Sequence, residues 1–115
     1  MASPKALRGE VWQVDLDPIK GHEQGRVRPA LIISVNDFNK TRAGLLIVVP
    51  ITSTDRGIRT HVRIDPPEGG LSTPSFVMCE RVRSISVERL VKRRGIASDT
   101  TMRQVEDRLR MLQGL

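Results

Sequence analysis

Two short stretches of this 115-residue chain carry side chains whose types and spacing could grip a phosphate. The first, "GHEQGRVRPA" (Gly21 to Ala30), gathers His22, Glu23, Gln24, Arg26 and Arg28 between glycines and a proline that opens the apolar run "ALIIS". The second, "PITST" (residues 50–54), ends another apolar run with Thr52 and Ser53. A guanidinium presents a planar fork of donors that matches phosphoryl oxygens, and each hydroxyl adds a donor of its own. If the two strand ends meet, Arg28, Thr52 and Ser53 form a phosphate cradle. Pro29 fixes its own backbone and pushes Arg28 toward an extended conformation. The clamp residue is thereby anchored, while the glycine-bearing loop before it is free to open and close around a ligand.

Other chemistries have little support. Cys79 is the sole cysteine, and His22 and His61 lie 39 positions apart, so no zinc-ligand spacing exists and no metal or cofactor is expected. "GHEQG" lacks the Lys-Ser/Thr of a phosphate-binding loop and opens no helix, and there is no nucleophile elbow. His61, between Thr60 and Val62, reads as a partly buried histidine bonded to a neighbour; His22 reads as a solvated side chain and Cys79 as a small core hydrophobe. "VKRR" (91–94) is a solvated basic face or, in the sharper reading, a surface that guides RNA.

The elements that must position these groups are legible from periodicity. Residues 9–16 alternate, with Trp12, Val14 and Leu16 on one face and Gln13 and Asp15 on the other, as in a half-buried strand. Residues 17–27 form a loop; 28–35 and 44–51 are buried strands, with a turn or a single helical turn over 36–41. Residues 59–64 alternate again, 65–74 are a loop, 75–86 form one long strand that becomes charged halfway, and 91–97 form a last short strand. From 98 onward the period changes: Met102, Val105, Leu109 and Leu112 recur at helical spacing behind a Ser98 or Asp99 cap. The expected fold is mainly β, a small barrel closed by a C-terminal amphipathic α-helix, over one domain spanning 1–115.

The bulk numbers agree with a basic partner-binding domain. Net charge is +6, and 15 of the 19 basic residues are arginine, which points to phosphates or to an acidic partner. One tryptophan, two phenylalanines and no tyrosine are too few rings for a base-stacking platform, so any nucleic-acid contact must lean on arginine and hydrogen bonding. No apolar run has bilayer length, the opening "MASPKALRGE" lacks a secretory h-region, and a lone cysteine forms no internal disulfide; a cytoplasmic location is expected.

On these motifs the chain resembles the MazF/PemK-type toxins, the ribonuclease halves of bacterial toxin–antitoxin pairs. "RGEVWQVDLDPIKGHEQGRVRPALIIS" is similar to the opening of that family, and "VPITST", "THVRI" and "CERVRSIS" to its later segments, in order. The resemblance implies an SH3-like barrel of the CcdB/PemK type and a homodimer. It also implies metal-independent, sequence-specific cleavage of single-stranded RNA through the ribose 2′-hydroxyl, leaving a 2′,3′-cyclic phosphate and a 5′-hydroxyl end. A cognate acidic, MazE-like antitoxin would occupy the RNA groove.

Position by position, it puts the family's essential arginine on Arg28 and its threonine on Thr52. Glu23 and Gln24 fall in the loop that closes over substrate, Arg26 and Ser53 lie beside the two key residues, and Glu80 matches the acid of a later Glu-Gln pair, where Arg81 replaces the glutamine. A guanidinium is a fixed cation near neutral pH and so a poor base. Glu23, or a water held by its loop, is the candidate base, and an ion pair of Glu23 with Arg26 or Arg28 is the competing reading. Two further readings stay open: a CcdB-like poison of DNA gyrase, which "RP" and "PIT" argue against, and a basic RNA-binding module without cleavage.

Overall fold

The computed structural model describes residues 5–16 and 27–115. Seven strands and one long helix follow one another: β1 (Glu10–Asp15), β2 (Val27–Ile32), a helical turn α1 (Asn36–Asn39), β3 (Leu45–Thr52), β4 (His61–Ile64), β5 (Ser75–Met78), β6 (Arg83–Ser86), β7 (Leu90–Ile96) and α2 (Asp99–Gln113). The strands are antiparallel and pair in the order β4-β5-β3-β2-β1-β7, with β6 branching from β3.

The three middle strands are apolar on both faces, and each face has its own core. Val11, Leu31, Val49 and Ile51 pack on one side with Val62, Val77, Leu71 and Val105 of α2. Trp12, Val14, Ala30, Ile32, Leu46 and Val48 pack on the other with Ala6 and Ile85. The expected polar face of residues 9–16 is thus only partly polar, because Val11 is wholly buried there. Helix α2 and Leu71 cover that face, which strand alternation alone does not reveal. Each such Val or Leu contributes on the order of 1.5–3 kcal/mol by leaving water.

Two expectations are corrected. The single strand over 75–86 is two strands, β5 and β6, separated by a 3₁₀ turn at Cys79–Arg81. Both pair with the same edge of β3: β6 with Leu45–Val48, and β5 with Ile51 and Thr52. The pairing sum changes by three residues between them, and the turn extrudes those three. For the same reason the sheet forks at β3, and among the described residues it does not close into the expected barrel, although the mainly-β class with a C-terminal helix holds.

Ser98, not Asp99, caps α2, accepting from the Thr101 amide at 3.1 Å. Val105 is fully buried and Met102 and Leu109 pack against the same core, but Leu112, expected on this face, is 44% exposed. Every residue from Arg110 onward is exposed, so the last turn outruns the sheet beneath it.

The loop over 65–74 is fastened rather than free. Glu68 Oε2 accepts from the Ser98 amide at 2.8 Å and from Thr101 Oγ1 at 2.6 Å, a carboxylate placed where the helix N-terminus favours negative charge. Arg94 Nη2 donates to the Gly70 carbonyl at 2.7 Å. Gly70 has φ +70 and its backbone lies so close to β7 that an added Cβ would stand 2.1 Å from the Arg94 carbonyl oxygen. Gly57 has a similar φ of +64 with open space around it. Gly57→Ala is expected to cost about 1–2 kcal/mol for the backbone alone, and Gly70→Ala at least about 2 kcal/mol more. Equal urea-denaturation losses for the two variants would contradict this packing.

Candidate active site

The β2–β3 ladder pairs Ala30 with Pro50, Leu31 with Val49 and Ile32 with Val48. Continued two residues outward, the same register sets Arg28 opposite Thr52. Cross-strand partners share a face, so both residues emerge on the face of Ala30, Ile32 and Val48. On the other flank of Arg28 stands its β1 partner Val14, and on the other flank of Thr52 its β5 partner Phe76. Arg28 and Thr52 line the same two cavities, of about 510 and 230 Å³.

Arg28 is exposed, and Thr52 is buried at 7%. Thr52 Oγ1 accepts from the Thr54 amide at 3.2 Å, which fixes the oxygen and leaves the hydroxyl hydrogen to be donated.

The larger cavity is cationic. Arg28, Arg56, Arg81 and Arg83 line it with Thr52 and Met78, and among the described residues no acidic side chain does. Arg83 reaches this side because its ladder partner is Val48, on the face that carries Arg28 and Thr52. It donates to the Leu16 carbonyl at 3.3 Å. Elsewhere acids neutralise arginines: Glu106 pairs with Arg8, Glu10 with Arg93 at 2.8 Å, and Asp65 with Arg63 at 2.8 Å. Among the described residues the four cavity arginines have no carboxylate partner. Four guanidiniums around one opening, without a carboxylate partner among the described residues, make its field strongly positive.

Sequence reasoning missed Arg56 and Arg83. Arg81 and Arg83 stand two apart in "ERVR", the spacing that shares a strand face, and this was the available signal; Arg56 had none, since loop placement fixes it.

Of the other sequence-derived site residues, Ser53 lines the smaller cavity and Arg81 the larger. Glu80 is turned elsewhere: its Oε1 accepts from Thr60 Oγ1 at 2.7 Å and its Oε2 meets His61 Nε2 at 2.8 Å. His61 is accordingly a buried histidine bonded to a neighbour. Glu23, Gln24 and Arg26, with His22, lie outside the described residues. Cys79 is wholly buried, and burial, with the Glu80 charge, pushes its thiol up to about 11, so it stays protonated. Among the described residues no group of three or more His, Cys, Asp or Glu side chains is arranged to hold a metal ion. No helix is long and apolar enough to cross a membrane among those residues.

Fold and site together define a small antiparallel β-protein with a cationic face built at one sheet end. The chain belongs to the family of PemK-like, MazF-like toxins of type II toxin–antitoxin systems, whose pattern matches residues 7–112. It is 35% identical over 109 residues to the endoribonuclease MazF9 of Mycobacterium tuberculosis strain ATCC 25618 / H37Rv, covering 90% of this chain and 92% of that protein. Its fold is similar to that of MazF from Deinococcus radiodurans, with a TM-score of 0.81, 28% identity and full coverage of both chains. It is also similar to a mycobacterial endoribonuclease solved with its cognate antitoxin, with a TM-score of 0.78, 27% identity and 96% of each chain covered.

The Glu80 cluster carries a pH dependence. Burial pushes the Glu80 carboxyl up, but hydrogen bonds from Thr60 and His61 outweigh it and hold the group below its ordinary range. A depressed carboxylate stabilises the fold above the unfolded-state pKa of about 4.3, and that contribution is lost as pH falls through the lower folded value. Glu80→Gln is therefore expected to flatten the decline in urea stability between pH 5 and pH 3, and an unchanged slope would contradict the assignment.

Proposed function

We propose that this chain, a toxin by family, is an endoribonuclease that cuts single-stranded RNA by attack of a ribose 2′-hydroxyl on the adjacent phosphorus. The new 2′-O–P bond displaces the 5′ oxygen, leaving a 2′,3′-cyclic phosphate and a 5′-hydroxyl end. The observation that carries this reading is the shared placement of Arg28 and Thr52 on two cavities, one ringed by four arginines. The positive charge that such a reaction needs at phosphorus is supplied by guanidiniums, so cleavage proceeds without a metal.

Arg28 holds two phosphoryl oxygens through its fork and neutralises the charge that builds in the transition state. In this reading it also supplies the proton that the leaving 5′ oxygen takes up. Thr52 donates its hydroxyl hydrogen to the same oxygens. The 2′-hydroxyl proton goes to a base, for which Glu23, or a water held by its loop, is the candidate, with Gln24 and Arg26 flanking the substrate. Arg56, Arg81 and Arg83 hold neighbouring phosphates, and Ser53 contacts the nucleotide beyond Thr52. Glu80 acts through the turn that carries Arg81.

In this reading the same cationic cavity receives an acidic, extended antitoxin segment by charge complementarity; a mycobacterial relative is solved with its cognate antitoxin. A second copy of the chain completes the RNA groove in this reading.

Purified protein is expected to cut single-stranded RNA in the presence of EDTA. Arg28→Ala is expected to lower kcat/KM by at least about 10²–10³-fold, and Thr52→Val by about 10-fold or more, with the melting curve preserved. A folded Arg28→Ala variant with full activity would remove Arg28 from the mechanism.

A further inference from the structure

The cavity of about 230 Å³ on the far side of the Arg28–Thr52 pair has a different chemistry from its cationic neighbour. Its walls are Ser53 and Thr54, just after β3, and Ser72 and Thr73, from the loop before β5. All four residues are exposed, and among the described residues none of their hydroxyls has a protein partner. Among the described residues its cations are Arg28 and Arg94, against four arginines around the larger cavity, and Arg94 is held in place through Nη1 by Gln13 Oε1 at 2.6 Å and through Nη2 by the Gly70 carbonyl at 2.7 Å.

A phosphate offers only acceptors and carries charge, so it favours the four-arginine side. A nucleobase edge is neutral and mixes donors with acceptors. A hydroxyl can donate and accept, so a set of free hydroxyls suits a base edge better than a phosphate. The wall is also preorganised. The loop carrying Ser72 and Thr73 is tied to the α2 N-terminus through Glu68 and pressed against β7 at Gly70, so little ordering cost remains on binding.

Building on the ribonuclease reading above, we infer that this hydroxyl-lined cavity is a base-reading subsite for the nucleotide on one side of the scissile phosphate, while the arginine cavity holds the backbone on the other side. Ser72 and Thr73 are then specificity-determining residues for the cut sequence.

The test is the cleavage profile of the full chain on mixed-sequence single-stranded RNA, read by sequencing 5′-hydroxyl ends, for the unsubstituted protein, Ser72→Ala, Thr73→Val and Arg56→Ala. At one position beside the cut, the preference between bases is expected to fall by about 3–10-fold for each hydroxyl removed, with other positions unchanged. Arg56→Ala is expected to weaken cutting at all sequences together and to reduce the salt dependence of RNA binding, with the profile kept. Circular-dichroism melts confirm that each variant is folded. An unchanged profile in Ser72→Ala and Thr73→Val, or a uniform loss like that of Arg56→Ala, would overturn the subsite. Intact RNA with the unsubstituted protein would instead overturn the ribonuclease reading beneath it, and the subsite with it.

Discussion

The register between β2 and β3 is the constraint on which the site depends. The two strands hold Ala30 against Pro50 and Leu31 against Val49, and one step beyond the next pair outward the same ladder sets Arg28 across from Thr52. A slip of one residue would send Arg28 to the opposite face. That slip is resisted by two cores at once, because Leu31 and Val49 fill one while Ala30, Ile32 and Val48 fill the other. The position of the guanidinium is therefore enforced by apolar burial several residues away, and the Arg28–Thr52 end of the ladder needs few stabilising contacts of its own.

Charge placement adds the second requirement. Glu106, Glu10 and Asp65 pair with arginines away from the cavity, and Glu10 illustrates the pattern. Burial pushes its carboxyl up, yet hydrogen bonds from the Leu7 amide, the Trp12 indole and Arg93 pull it below its ordinary range. The arginines at the start of β2, after β3, in the turn before β6 and at the start of β6 face one opening with no carboxylate partner among the described residues. Such a cluster repels itself and is tolerated because it is open to water. A polyanion relieves that repulsion on binding.

Much of this was legible in the sequence, for physical reasons. The period-two alternation of β1, the branched runs of β2 and β3 and the helical spacing of Met102 and Val105 report local geometry that each segment adopts by itself. Arg28 and Thr52 stood out because a proline and two apolar runs flanked them. What was hidden depends on pairing between distant segments. The break at Cys79–Arg81 exists because β5 and β6 divide one edge of β3, and no residue between Phe76 and Ile85 signals that division. The turn also sends Glu80 toward Thr60 and His61 while Arg81 faces the cavity, so two adjacent residues expected to act together face different surroundings. The hydroxyl wall could not be read either, since "LSTP" is ordinary loop chemistry until Glu68 and Gly70 bring it beside β3.

The most direct measurement of the central claim, that Arg28 and Thr52 grip the same phosphate, is a double-mutant cycle on RNA cleavage with Arg28→Ala, Thr52→Ala and the combined variant. Groups that act as a unit lose less together than the sum of their separate losses. The combined variant is expected to fall little below Arg28→Ala alone. Losses that multiply in full would mean that the two side chains act on different parts of the substrate.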